Sequence, residues 1–344
     1  MIESRYIDGV FDENVIHHIR NHYATQLKYH WKANGRKDYD QGHWNNQVIQ
    51  KPNWIDVDLV DTPEYEDLPE IQYMWNNILP YVGNVSLLRC YCNGYTYGTD
   101  GFLHTDDTNY AQGGDTSTVI VYLNEGEWDP DWAGETIIYD MEDEPSFVCK
   151  PSFGRMLIFN SQLFHRALPL SRAYGGLRTI ITFKTHHPNW TSNSYWWVKN
   201  RTADIPHNTG GYNHPNGFFL HSWRVGRILQ TELKAKKDTC MAGFYHAAAY
   251  GTEFFPLPSS LEPANRDDLK KSIGSNAENL VWEYSQLPKN RNEALINKHG
   301  NWSDRVWGRL LQIDVANSWE QRLPDSTIDK KLALIEEIKE KDEI

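Results

Sequence analysis

Five short segments rich in Val, Ile, Tyr, Thr and Phe lie between residues 86 and 184, and they constrain the fold more than any other feature. They are Ser86–Cys92, Thr116–Leu123, Glu135–Tyr139, Arg155–Phe159 and Arg178–Lys184. Gly, Pro, Asn and Asp separate them, and β-branched or aromatic residues bounded by such turn residues are typical of strands. Several short strands at nearly regular spacing predict a β-sandwich or barrel.

Helical patterns flank this region. Two precede it, Asp12–Tyr23 and Glu66–Leu79, and are typical of helices that support a sheet. Residues 189–219 are rich in Asn, Gly, His and Trp without a clear period, which predicts a linker and an irregular packing segment. Five helical patterns follow: His221–Lys237, Thr239–Tyr250, Arg266–Tyr284, Asp304–Glu320 and Ile328–Lys341.

These patterns predict an α+β protein with two domains. The chain has 344 residues, and a domain usually takes roughly 100–200. We expect a β-rich N-terminal domain with supporting helices over residues 1–200, followed by a mainly α-helical domain over residues 201–344.

Composition argues against several classes of partner. Lys+Arg is 34 and Asp+Glu is 46, which gives a net charge of −12. This argues against nucleic acid, which needs a basic surface, and against an anionic membrane. We see neither a signal peptide nor an apolar run near the roughly 18 residues of a membrane helix. Four cysteines form no disulfide framework. We therefore expect a cytoplasmic protein, and the oligomeric state stays open.

The stretch Gly101-Phe-Leu-His-Thr-Asp106 carries a histidine and an aspartate two residues apart. On a strand, residues i and i+2 point to one face, so His104 and Asp106 converge. A second histidine, His165, follows the fourth predicted strand. Two histidines and one carboxylate on one face of a metal leave three positions open, as in non-haem Fe(II) oxygenases.

An arginine begins the last of the five predicted strands. A buried guanidinium binds a carboxylate through two parallel hydrogen bonds, so Arg178 suits the far end of a dicarboxylate co-substrate. Arg172 is the alternative, but it lies in a polar turn and is better interpreted as a surface or substrate-facing charge.

From about Leu87 to Thr185 the chain resembles the 2-oxoglutarate- and Fe(II)-dependent oxygenases, in particular the prolyl 4-hydroxylase-like branch. Six motifs carry the resemblance: Leu87-Leu-Arg-Cys-Tyr91, Gly101-Phe-Leu-His-Thr-Asp106, Val119-Ile-Val-Tyr-Leu-Asn124, Ala133-Gly-Glu-Thr136, Pro151-Ser-Phe-Gly-Arg-Met-Leu-Ile-Phe159, and His165-Arg-Ala-Leu-Pro169 followed by Arg178.

The resemblance implies a double-stranded β-helix, or jelly roll, in which the catalytic residues His104, Asp106 and His165 hold Fe(II). It implies that Arg178 pairs with the distal carboxylate of 2-oxoglutarate. Two tyrosines are further candidates for binding this co-substrate. Tyr122 would bind it through its hydroxyl. Tyr91 is a third contact, or equally an aromatic residue of the core. Many relatives carry Ser or Thr two residues after the arginine; this chain has Ile180, and Tyr122 is a candidate substitute.

The function implied is hydroxylation of an unactivated C–H bond, with Fe(II), 2-oxoglutarate and O2, and with ascorbate left open as an additional reductant. Succinate and CO2 are the co-products. The substrate class is an amino-acid or peptidyl, prolyl-like group, with a small metabolite as the rival. A carboxylate at Asp106 favours hydroxylation over halogenation. A non-catalytic binding protein on a decayed jelly roll is the alternative, against which the intact motifs argue.

The C-terminal part weakly resembles HD-type helical metal domains. His221, His246 and Asp314 match three ligand positions, but Ala247 stands where the histidine's aspartate partner is expected. We therefore expect a degenerate, HD-like domain without an essential metal. A two-step enzyme with a second metal site there is the alternative.

Overall fold

The structure is a computed structural model, and its described parts fall into two compact units. It describes residues 3–30, 42–50, 52–99, 101–106, 116–140, 142, 144–186, 193–210, 212–253, 256–322 and 326–340. One unit comprises residues 1–51 and 57–190, and the other comprises residues 52–56 and 191–344.

The first unit contains two antiparallel sheets and supporting helices. Its elements are β1 Arg5–Ile7, α1 Glu13–Tyr23, β2 Lys28–His30, β3 His43–Gln50, α2 Pro63–Glu66, α3 Pro69–Val82, β4 Ser86–Tyr95, β5 Ser117–Tyr122, β6 Thr136–Tyr139, β7 Pro145–Cys149, β8 Met156–Asn160, β9 His165–Ala167 and β10 Arg178–His186. The large sheet has the order β1-β8-β5-β10-β4-β3-β2 and the small one β7-β6-β9. All five predicted strands are present, and the α+β class with an N-terminal jelly roll is confirmed.

Strand β10 lies in the middle of the large sheet and divides its side chains between two environments. Ile181 and Phe183 belong to the hydrophobic core that also contains the buried residues of α1 and α3. Arg178, Ile180 and Thr182 alternate with them and line a pocket to which the small sheet also contributes. This follows from the period of two along a strand. The core on one face therefore determines which residues face the pocket on the other.

The helices of this unit begin where local chemistry favours it. The side chain of Asp12 accepts a hydrogen bond from the backbone N–H of Asn14 at 2.8 Å, which caps α1. The predicted helix Glu66–Leu79 corresponds to α3, which begins at Pro69 rather than at Glu66. Proline lacks a backbone N–H and favours that position.

The second unit is mainly helical. Its elements are α4 Asn193–Thr202, β11 His207–Thr209, β12 Tyr212–His214, α5 Gly217–Thr231, α6 Lys237–Tyr245, α7 Arg266–Ile273, α8 Ser275–Ser285, α9 Arg291–Ile296, α10 Asp304–Gln321 and α11 Ile328–Glu340. No helix in the described ranges has both the length and the apolar character needed to cross a membrane.

Two predictions for this part of the chain are wrong. The predicted linker 189–219 contains α4 and the hairpin β11–β12. Helix α4 forms because its aromatic face is buried: the ring of Tyr195 packs edge-on against Trp223. The predicted helix Arg266–Tyr284 is interrupted at Gly274, whose φ of 86° is left-handed backbone that favours glycine.

Candidate active site

His104, Asp106 and His165 come together in the pocket of the first unit. The backbones of His104 and His165 exchange two hydrogen bonds, of 3.2 and 2.9 Å, which places the two rings side by side. Asp106 Oδ1 lies 3.4 Å from His104 Nε2, and Asp106 Oδ2 lies 3.6 Å from His165 Nε2. Within the described ranges, these residues form the only group of three potential metal ligands, with their ligand atoms within 4.8 Å of one another.

Backbone carbonyls orient both imidazoles. His104 Nδ1 lies 2.6 Å from the carbonyl oxygen of Phe102, and His165 Nδ1 lies 3.1 Å from that of Leu163. A carbonyl only accepts, so each Nδ1 carries the proton and donates. The lone pair of each Nε2 is then available to a metal, and such bonds to the second ring nitrogen are usual for metal-binding histidines.

Both oxygens of Asp106 are held by donors from the large sheet. Thr118 Oγ1 donates to Oδ2 at 2.6 Å, and Lys184 Nζ donates to Oδ1 at 2.5 Å. Burial works to raise the pKa of Asp106, but Lys184 and His165 outweigh it and hold the pKa well below its usual range. Asp106 is therefore an ionised carboxylate of fixed orientation, as a metal ligand must be.

The two histidines differ in environment. Burial lowers the pKa of His165 to about 4, so its ring is neutral at pH 7. Burial also works to lower the pKa of His104, but the contact with Asp106 outweighs it and raises the pKa. The side chain of His104 is 48% exposed, whereas those of Asp106 and His165 are 3% and 7% exposed. The three residues are thus reached by solvent from the His104 side.

Arg178 lines the same pocket and is completely buried. Its Nη2 donates to Thr136 Oγ1 at 2.9 Å, while Nε and Nη1 have no hydrogen-bond partner among the described residues. The rings of Tyr95 and Tyr122 lie 5.4 and 5.2 Å from its guanidinium carbon. A buried cation with two unpaired nitrogens is costly without an anion, and a carboxylate fits it best.

The other residues named from the sequence lie near Arg178, in the pocket or at the surface. Tyr122 is buried behind Arg178, and its hydroxyl donates to Thr136 Oγ1 at 2.8 Å. Tyr91 and Ile180 line the pocket. Arg172 is exposed and donates to the hydroxyl of Tyr97 at 2.9 Å.

Thr136, Thr118 and Lys184 were not among the predicted site residues. Thr136 ends one of the motifs of the resemblance, and on β6 it lies beside Arg178. Lys184 is six residues after Arg178 on the same strand, and the period of two places both on one face. That spacing is the signal in the sequence from which Lys184 could have been found.

Residues 90–186 match the family model described as the 2OG-Fe(II) oxygenase superfamily. This segment is a 2OG-Fe(II) oxygenase domain. The expected enzyme class is confirmed, and with it Fe(II), 2-oxoglutarate and O2 as the cofactor and co-substrates. The buried Asp106 between two oriented imidazoles suits the metal, and the unpaired Arg178 suits 2-oxoglutarate.

Solved structures to which part of this chain is similar cover about half of it. They include a prolyl-4-hydroxylase from Pseudomonas putida, which is 15% identical in sequence and has a TM-score of 0.38. The alignment covers 54% of this chain and 92% of that chain. The viral collagen prolyl hydroxylase from Paramecium bursaria Chlorella virus-1 has 16% identity, coverages of 54% and 96%, and a TM-score of 0.37. A search of curated proteins finds no match.

The second unit matches a family model described only as a domain of unknown function, DUF6817, over residues 206–289. Nothing in the comparisons supports the HD-type resemblance. The structure brings His221 and His246 together, with 3.2 Å between their Nε2 atoms. Asp314 instead accepts hydrogen bonds from Tyr284, Arg291 and Lys331 at 3.0, 2.7 and 2.6 Å.

We predict that the full chain binds one divalent ion and that His165→Ala loses it, because a missing imidazole leaves two ligands. Metal content after anaerobic dialysis against Fe(II) measures this, with the exposed His299→Ala as a control that keeps one equivalent. His246→Asn should keep one equivalent as well. A full equivalent in His165→Ala, or a second equivalent lost in His246→Asn, would contradict these assignments.

Stability of the second unit should depend on His246. Burial, and next the neighbouring His221, lower its pKa to about 3, from an ordinary value of 6.5. Its Nδ1 donates to the carbonyl oxygen of Gly243 at 2.6 Å, and the rings of Tyr284 and His221 lie against it. The unfolded chain therefore takes up a proton that the folded chain excludes as the pH falls below 6.5.

We predict that the contribution of His246 to the free energy of unfolding is fully present above pH 6.5 and is lost as the pH falls towards 3. At pH 5, protonation of His246 in the unfolded chain should lower the free energy of unfolding by about 2 kcal/mol. This follows from 1.36 kcal/mol for each pH unit between pH 5 and the ordinary pKa of 6.5. Urea unfolding at pH 7 and pH 5 measures it. His246→Asn retains a donor for Gly243 but does not titrate, so its loss should be smaller than in the wild type and in the control His299→Asn. Equal losses in all three proteins would refute the assignment.

Proposed function

We propose that this protein hydroxylates an unactivated C–H bond of an amino-acid, peptidyl or small-metabolite substrate and converts 2-oxoglutarate to succinate and CO2. His104, Asp106 and His165 hold the iron, and Arg178 binds the distal carboxylate of 2-oxoglutarate. One observation carries the proposal: a completely buried arginine with two unpaired guanidinium nitrogens lines the same pocket as two histidines and a carboxylate.

Neighbouring residues hold the three metal ligands in the orientation that metal binding needs. Phe102 and Leu163 fix the direction of the two Nε2 lone pairs through their carbonyl groups. Thr118 and Lys184 hold the carboxylate of Asp106, so that little reorganisation is needed when a cation binds. Bound iron with 2-oxoglutarate and O2 supplies the oxidising chemistry.

Arg178 and its neighbours hold the other end of the co-substrate. Thr136 accepts from Arg178 Nη2 and from the hydroxyl of Tyr122, so its own hydroxyl proton is free to donate to a carboxylate. Thr136 therefore supplies the hydroxyl that Ile180 lacks, and Tyr122 acts through it. The tyrosine rings exclude water from the guanidinium, which strengthens its pairing with an anion.

The function is tested by incubating the protein with Fe(II), 2-oxoglutarate and a panel of amino acids, peptides and metabolites. We expect succinate release that a substrate stimulates, and a product heavier than that substrate by one oxygen atom. Binding of a panel compound without succinate release or oxygen addition would favour the non-catalytic alternative.

We predict that Arg178→Ala raises the KM for 2-oxoglutarate by about ten- to a hundred-fold, because a charge-assisted pair contributes roughly 1.5–3 kcal/mol. Iron content should hardly change, since Arg178 contacts none of the three ligands. Steady-state succinate release measures the effect, and Arg172→Ala is the matched control. If Arg172→Ala raises this KM and Arg178→Ala does not, the co-substrate assignment is wrong.

A further inference from the structure

Two cationic side chains lie directly opposite each other beside the pocket. Lys184 on β10 pairs with Arg89 on β4 in the antiparallel ladder. Both approach one aromatic ring: the Arg89 guanidinium carbon lies 4.8 Å, and Lys184 Nζ 5.6 Å, from the centre of the Tyr91 ring. Like charges opposite each other on adjacent strands are unfavourable, so this arrangement calls for a compensating anion.

The described residues provide only part of that compensation. Lys184 donates to Asp106, which is also the proposed metal ligand. Arg89 Nη2 donates to the neutral amide oxygen of Gln47 at 3.2 Å, and its buried Nε has no hydrogen-bond partner in the described part of the chain. Asp106 is the only carboxylate among the described residues that line the pocket. Lys184 thus pairs with a carboxylate that the proposed metal also requires, and the guanidinium of Arg89 contacts no carboxylate among the described residues that line the pocket.

The position of the pair fits a ligand that comes from solvent. Gln47, which Arg89 contacts, is exposed, whereas the side chain of Lys184 is only 15% exposed. One end of the pair is therefore open, and the other is bonded to the carboxylate of Asp106. An anion held there lies next to the metal ligands and, unlike one at Arg178, close to the solvent-accessible rim.

We propose that Arg89 and Lys184 form a subsite for a carboxylate group of the substrate. The inference rests on the proposed oxygenase function and narrows its substrate class to compounds with a free carboxylate near the hydroxylated carbon, such as an amino acid, an acylated amino acid or a peptide C-terminus. A carboxylate matches the free Nε–H of Arg89 and the ammonium of Lys184. Arg178 meets the co-substrate, so the two cationic positions serve different molecules.

The test compares matched acids and amides. N-acetyl amino acids and short peptides, each with a free carboxylate or as the primary amide, are screened for stimulation of succinate release above the uncoupled rate. We expect only free acids to stimulate. For the best acid, Arg89→Met and Lys184→Met should each raise KM at least about ten-fold and reduce the preference for acid over amide. The KM for 2-oxoglutarate should change little in Arg89→Met, because Arg89 does not contact Asp106.

Controls separate loss of charge from loss of the metal. Arg5→Met removes a cation from the far edge of the same sheet and should change neither KM. Lys184→Arg keeps the charge and should retain the acid preference. Iron content is measured for each variant. Because Arg89 does not contact Asp106, the result for Arg89→Met remains informative even if Lys184→Met loses iron.

Several outcomes would overturn the proposal. Equal stimulation by amides and acids, or no response to any acid by a protein that turns over 2-oxoglutarate, contradicts the carboxylate subsite. If Arg89→Met raises the KM for 2-oxoglutarate but not the KM for the acid substrate, Arg89 binds the co-substrate and the proposal is wrong. Failure to bind or turn over 2-oxoglutarate at all would instead refute the oxygenase function itself.

Discussion

Arg178 is completely buried, and within the described residues the only hydrogen bond of its side chain is to the hydroxyl of Thr136. A guanidinium in such surroundings would normally pair with a carboxylate, since removing an unpaired charge from water is costly. The cost is offset by the rings of Tyr95 and Tyr122 and by the packing of the central strand β10. The N–H groups on Nε and Nη1 remain unpaired in the described part of the chain and are available to an anionic ligand.

Strand β10 connects the stability of the unit with its chemistry. Ile181 and Phe183 pack into the core beneath the helices, and the residues between them face the pocket. A slip of one residue in the pairing with β4 and β5 would exchange the two faces. The apolar core therefore keeps Arg178 and Lys184 on the same side as Asp106. A substitution in that core should affect the site through the register of this strand.

Much of this arrangement could be predicted from the sequence, because it depends on local patterns. The five apolar segments predicted their strands, and the two-residue spacing placed His104 and Asp106 on one face. Strand β3 was missed because His43-Trp-Asn-Asn-Gln lacks an apolar alternation and pairs through its backbone with β4. Helix α4 was missed because its aromatic side chains are buried by tertiary contacts that no local period reveals.

Thr136 and Arg89 were missed for a related reason. A threonine acquires a role here only because the fold brings β6 beside Arg178, and Arg89 becomes conspicuous only when β10 places Lys184 opposite it. Such partners are distant in the chain, and composition and spacing do not report them. The resemblance supplied the order of the motifs, whereas the structure supplied the contacts between them.

We propose that one molecule of 2-oxoglutarate spans from the metal held by His104, Asp106 and His165 to Arg178. This is tested by calorimetric titration of 2-oxoglutarate into the protein with and without Ni(II), a redox-inert substitute for iron. We expect one equivalent bound, at least about ten-fold more tightly when the metal is present. Pyruvate, which lacks the distal carboxylate, should bind more weakly. Equal affinity without metal, or equal affinity for pyruvate, would refute this binding mode.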